Sequence, residues 1–258
     1  MRITVTEKMK KKIARGQSVL KTCRTSAGGA KGMMAGGMVF LVFGVFAAFP
    51  MLISGFDRGG LLFFLILGLP GLLLIGIGAI LQSKKAAEYV KFYSKETGYS
   101  ESDILLADKE LLMPQTVVIG NPPSKDSKKN AIGCYITEHY LVSVTTLSCY
   151  VRKLEDMRAA FYSEELPGID RVQSGAVFIS RKEAEEGEPR INPFTYRKCG
   201  GEMNARLNKE SCAEIAEELE KRAPFVITSQ TIVRGGVQYD LMGLNHWQED
   251  WREIMRKA

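Results

Sequence analysis

Charged residues stop at Gly32 and return only at Asp57 and Arg58, after which a second uncharged run begins. Gly32–Phe56 and Gly59–Ser83 are each 25 residues long. A helix of that length covers about 37 Å at about 1.5 Å per residue, against a hydrocarbon core of about 30 Å, so each run predicts a tilted membrane-spanning helix. The Gly- and Asp-containing link Gly55–Gly60 is too short for a domain and predicts a tight reversal, making residues 32–83 a two-span hairpin. Gly37 and Gly44 in the first run, and Gly71 and Gly78 in the second, recur at heptad spacing. Such positions allow helix backbones to pack closely in lipid, although glycine is also common in membrane helices generally. Pro50 and Pro70 each lack a backbone N–H and predict kinks. Neither run contains an ionisable residue, which argues against an ion site, proton relay or transport path in this chain alone.

After Gln82 the pattern turns polar. Ala87, Val90 and the Phe92/Tyr93 pair fall at helical spacing, so the second span is expected to continue as a stem through residues 84–115. Ser100-Glu101-Ser102-Asp103 is a capping box that opens a short helix, stopped by Pro114. Strands are predicted at Thr116–Ile119, at Ile132–Tyr150 with breaks near Glu138-His139 and Thr145-Thr146, and at Met157–Tyr162, Ala176–Ser180 and Ile191–Lys198. Asn208 caps a helix to Arg222 with Cys212, Ile215, Ala216 and Leu219 on one face, and Pro224 ends it. Asn245 and Gln248 mark a final helix carrying Trp247, Trp251 and Ile254 on one stripe. The expected fold class is therefore a membrane protein with two transmembrane α-helices and a cytosolic α+β domain, its antiparallel strands forming a curved sheet or open barrel closed by a helix.

Charge gives the hairpin an orientation. Nine Lys/Arg precede it, Arg58 alone lies in the turn, and Lys84, Lys85, Lys91 and Lys95 follow it, so both ends are expected in the cytoplasm and the chain in the cell membrane as a multi-pass protein. Of the net charge of +6, residues 1–83 supply +8 and residues 84–258 supply −2, so the basicity belongs to the membrane end and gives no ground for a nucleic-acid partner. Residues 1–31 form a basic cytoplasmic segment, and residues 116–258 the cytosolic domain. Lys8–Arg24 places Met9, Ile13 and Leu20 near one helical face among cations; it could lie on an anionic leaflet or serve only as a topology signal.

Gly133–Ser143 (GCYITEHYLVS), Val151–Arg158 (VRKLEDMR) and Ala213–Pro224 (AEIAEELEKRAP) together resemble the hairpin, later strand and closing helix of bacterial PH-like (pleckstrin-homology-like) membrane proteins. The likeness covers Ile132 to Phe225, and the chain departs from it in Glu164–Gly201 and in the Trp-bearing tail. It implies a binding or scaffold module at the inner face of the membrane, not an enzyme, with a protein partner, a second copy of the chain or membrane lipid as its target. In such a domain Arg152, Lys153 and Arg158 could meet lipid phosphates, or simply be water-facing strand residues. The competing class is a membrane-tethered enzyme or ligand sensor whose site is assembled from distant residues.

Motif chemistry is sparse. The five cysteines are scattered without C-x-x-C, and His139 and His246 have no Cys or carboxylate at ligand spacing, so no metal and no cofactor are expected. Glu183, Glu185, Glu186 and Glu188 read as a solvated acidic loop. Trp247 and Trp251, the only tryptophans, make a large apolar stripe that either packs on the sheet or forms a partner surface.

Overall fold

A computed structural model describes residues 18–26, 29–53, 62, 64–120, 133–145, 149–166, 173–186, 202–204, 207–244 and 247–256. The chain divides into two compact units, Leu20–Phe92 and Tyr93–Ala258 together with Met1–Val19.

The first unit contains α1 (Val19–Ser26, which begins one residue before it), α2 (Ala30–Ile53) and α3 (Leu69–Ala87). Two of these helices are long and apolar enough to cross a membrane, over Gly32–Phe49 and Phe64–Ala87. They run antiparallel, and small residues set how closely they approach. A Cβ built on Gly37 would lie 2.6 Å from the Gly71 carbonyl oxygen, and one on Gly71 would lie 2.7 Å from the Gly37 oxygen. Gly44 abuts the backbone of Gly68, and Gly78 that of Ala30, whereas Gly32 and Gly36 have open space beside them. Phe43, Phe46, Phe49 and Ile80 point away from the helix pair and are exposed. Pro70 stands in the first turn of α3. One wide turn at Phe64–Gly68 precedes it. Pro50 and the reversal at Gly55–Gly60 lie outside the described residues, apart from the helical backbone at Pro50.

Helix α3 stops at Glu88 (φ −101°, ψ 10°), and α4 (Tyr89–Thr97) resumes the stem. Within the second unit α5 (Glu101–Glu110) follows, and its capping box is complete: Asp103 N–H donates to Ser100 Oγ at 3.1 Å, and Ser100 N–H to Asp103 Oδ2 at 3.2 Å. Four antiparallel strands follow as a meander, β1 (Val117–Ile119), β2 (Gly133–Ile136), β3 (Tyr140–Val144) and β4 (Cys149–Lys153). Their breaks fall at Glu138-His139 and after Val144, where turn-forming polar residues interrupt the apolar pattern.

A second antiparallel sheet comprises β5 (Met157–Leu166), β6 (Gln173–Ser180) and β7 (Glu202–Asn204). Helix α6 (Lys209–Arg222) starts at Asn208, whose side chain accepts from Ser211 N–H at 2.9 Å. One core unites the elements: Ile119, Cys134, Ile136, Leu141 and Tyr150 from the first sheet meet Ala160 and Phe178 from the second, and Cys212, Ile215 and Leu219 of α6 close over them. The second unit is thus a mixed helix and antiparallel-sheet structure.

A second, smaller core lies on the other face of β5 and β6. There Phe161, Val177 and Ile179 pack with Leu241 and Trp251, supplied by the hairpin β8 (Thr231–Arg234) and β9 (Val237–Asp240) with its following turn, and by α7 (Trp247–Arg256). The β8–β9 turn is Gly235-Gly236, with φ of 56° and 78°, both in the left-handed region that a two-residue hairpin of this type requires. The strand expected at Ile191–Lys198 and the cap expected at Asn245 lie outside the described residues.

Candidate functional site

The alternation along β4 decides where its cations go. Register pairs Ser143 with Tyr150 and Leu141 with Arg152, so Tyr150 and Arg152 share the face that carries Cys134 and Leu141 into the core. Arg152 is 3% exposed and cannot be the water-facing residue expected from sequence. Its guanidinium pairs with the Glu183 carboxylate, which is 4% exposed. It also donates to Ser180 Oγ at 3.1 Å and to its neighbour's carbonyl, Val151 O, at 2.8 Å, and lies 4.4 Å from the centre of the Tyr150 ring. Glu183 Oε2 accepts in addition from Tyr150 Oη at 3.1 Å and Ser180 N–H at 2.8 Å. Burial opposes the charge on Arg152, yet Tyr150 and Glu183 hold it firmly protonated. Glu183 therefore leaves the solvated acidic loop expected for it and becomes the counter-ion of a buried cation, an arrangement whose desolvation cost is met only when both partners stay in place.

The other two cations are also held by carboxylates. Lys153 Nζ lies 3.1 Å from Asp103 Oδ1, and Arg158 Nε 2.6 Å from Glu185 Oε1. Trp251 is 1% exposed within the smaller core, while the Trp247 side chain and the side chains of Glu186 and Glu188 lie outside the described residues, as does His246.

Two ties invisible in local sequence bind the start of the second unit to the first sheet. Glu110, last residue of α5, reaches the β2–β3 turn, where its carboxylate accepts from Thr137 Oγ1 at 2.6 Å, from His139 N–H at 3.1 Å and from His139 Nδ1 at 2.6 Å. Burial alone would raise the Glu110 pKa, but these bonds outweigh it and hold the carboxyl below its usual range; the bond to Glu110 raises His139. Tyr99 donates its hydroxyl to Asp156 Oδ2 at 2.7 Å and accepts from Lys153 N–H at 3.0 Å. The partners are separated by 27, 29 and more than 50 residues, so no spacing rule finds them.

A separate opening lies beside a strand edge. A groove of about 560 Å³ runs between β5 and α6, with Tyr162 and Glu164 on one side, Cys212, Ala213 and Ala216 on the other, and Thr228–Thr231 at one end. On β5 the edge facing away from β6 is used first by Ile227: Ala160 N–H donates to Ile227 O at 2.8 Å, and Ile227 N–H to Arg158 O at 2.9 Å, in parallel sense. Two residues on, the same alternation turns the Tyr162 backbone N–H and C=O towards the groove. Among the described residues no strand pairs with the edge there. Small side chains at Ala213 and Ala216 keep the groove wide, and burial pushes the Cys212 thiol at its floor up to about 12, so it acts as an apolar surface and not as a nucleophile. Among the described residues there is no group of three or more His, Cys, Asp or Glu able to hold a metal ion. No family model matches the chain, and comparison with curated proteins and with solved structures finds no match.

Proposed function

We propose that this protein is a membrane-anchored, non-catalytic binding module of PH-like form, whose second unit captures an extended segment of a protein partner along the open edge of β5. The carrying observation is the edge itself: a strand edge engaged by Ile227, with no strand paired at Tyr162 among the described residues, and flanked by a groove. Main-chain bonding to such an edge gives affinity, and pockets for alternate side chains give selectivity. Between Ala213 and Ala216, over Cys212, the groove takes one apolar side chain. Its rim carries the Glu164–Lys209 pair at 3.3 Å, and Glu217 and Glu220 are exposed on the same helical stripe as Ala213, so a basic residue beside the apolar one complements it.

The order of elements supports the PH-like reading: a four-stranded meander, a three-stranded sheet, then a helix over the shared core. Anchoring in the cell membrane, with both ends cytoplasmic, is supported by the two long apolar helices with outward-facing Phe and Ile, and by the cations on either side of them.

Selection of nine-residue peptides on the full-length protein tests the reading. Binders should pair an apolar with a basic residue. Tyr162→Pro removes the outward N–H while leaving the β6 ladder intact, and should abolish binding; Tyr162→Thr keeps the N–H and should retain it. Equal binding by both variants, at equal melting temperature, would contradict the edge mechanism.

A further inference from the structure

Helix α5 and the β2–β3 turn frame a second groove, of about 320 Å³, separate from the one beside β5. Leu154 and Ala223 in its lining are buried, while Leu106 of α5 and Phe225 after α6 are 42% and 56% exposed. Apolar side chains left open beside a concave surface, with charged residues around them, mark an interaction site. The charge here is unequal. Arg222 is matched by Glu218 at 2.7 Å and His139 by Glu110 at 2.6 Å. That leaves Asp103, Glu138 and Glu155 against the single ammonium of Lys153, which lies 3.1 Å from Asp103 and 3.9 Å from Glu155. Three carboxylates against one ammonium leave an excess of two negative charges around the apolar groove.

The chain carries a segment of matching chemistry. Residues 1–17, ahead of the described part of the chain, hold six Lys/Arg and one Glu, a net charge of +5. Met9 and Ile13 are four apart, the spacing of neighbours on one helical face, with Lys8 and Lys12 bordering that stripe on one side and Lys10 on the other. Two spans return the chain to the side of its basic N-terminal segment, so this segment and the second unit share a compartment; the inference rests on that two-span reading. Reach is sufficient. Val19 belongs to the same compact unit as the groove, and the stretch from Val19 back to Met9 extends up to about 33 Å at about 3.3 Å per residue, roughly twice the radius of about 15 Å expected for a unit of this size.

We propose that residues 1–17 dock on this groove within the same chain, Met9 and Ile13 seating between Leu106 and Phe225 and the lysines meeting Asp103, Glu138 and Glu155. An amphipathic helix laid in a groove, with complementary charge at the rim, binds in this way. Docking ties the start of the chain to α5 and the β2–β3 turn and withholds its lysines from other anionic surfaces.

The test uses the full-length chain in neutral detergent free of anionic lipid, with a photo-crosslinking residue in place of Ile13 and an equal mixture of isotope-labelled and unlabelled chains. An intrachain link to the peptides containing Leu106 or Phe225 is expected, without mixed-isotope pairs. In detergent the link forms whichever side of a membrane each part faces, so its absence bears on the docking alone. Lys10→Glu/Lys11→Glu/Lys12→Glu should lower its yield by about tenfold, and adding Glu138→Lys/Glu155→Lys should restore most of it, because reversing both partners recreates the attraction that reversing one destroys. Phe225→Ala should lower the yield with little change in melting temperature, and Tyr162→Pro should leave it unchanged. Links that join two chains, adducts to detergent alone, or a link whose yield ignores the lysine reversal would overturn the proposal; so would failure of the paired reversal to rescue the link at an unchanged melting temperature.

Discussion

Replacing Trp251 with alanine distinguishes a core residue from a docking residue. The side chain is 1% exposed and packs with Phe161, Val177, Ile179 and Leu241 on the outer face of the second sheet. Removing a buried aromatic of this size costs about 3–5 kcal/mol in transfer and cavity terms. Against a total stability of about 5–15 kcal/mol this is a large fraction. For a domain of this size each kcal/mol moves the melting temperature by about 2–4 °C, so a fall of roughly 6–20 °C is expected. Scanning calorimetry of the full-length chain in detergent measures it. Trp251→Phe should lose distinctly less, and Phe225→Ala, at a 56% exposed position, should change little. A Trp251→Ala melt indistinguishable from the unmodified chain would refute the packing assigned to α7 and make that helix a docking surface.

Two further outcomes follow from the same structure and sequence. His139, raised by Glu110, contributes stability that is fully present below its unfolded value of about 6.5 and is lost as pH rises through its higher folded value; Glu110, lowered, contributes stability that is lost as pH falls through its folded value. The melting temperature should therefore decline as pH rises above about 6.5, and His139→Ala should flatten that slope; an unchanged slope in the variant would refute the assignment. In a cysteine-free background, an impermeant thiol reagent added to intact cells should label a cysteine placed at Asp57 and spare cysteines at Gln17 and Ser127; labelling at either of the latter two would reverse the orientation.

What the chain reveals locally and what it hides follow from the range of the interactions. The apolar runs, the heptad glycines, the Ser100 and Asn208 caps and the breaks at Glu138-His139 are readable because each depends on residues within a few positions. Arg152 misleads because a basic residue in a strand is water-facing only when one face of the sheet is open, and β4 is buried on both. Its partner Glu183 is 31 positions away, within a run of glutamates that resembles any solvated loop. The Gly235-Gly236 hairpin carried a usable signal, two strand-like segments separated by a two-residue glycine turn, whereas β7, only three residues long, carried none. The groove draws on β5, α6 and Thr228–Thr231, and no single segment of sequence contains it.

We propose that the edge of β5 beside α6 is where this protein meets its partner. Its most direct test is a photo-crosslinking residue placed at Ala213, exposed on the groove wall, in the full-length chain in native membranes, with the same probe at the exposed Glu253 as control. One discrete adduct is expected from Ala213, absent from Glu253, lost with Tyr162→Pro, retained with Tyr162→Thr, and mapping on the captured protein to an extended segment with an apolar residue beside a basic one. An Ala213 adduct that persists with Tyr162→Pro, or none where Glu253 gives one, would contradict it.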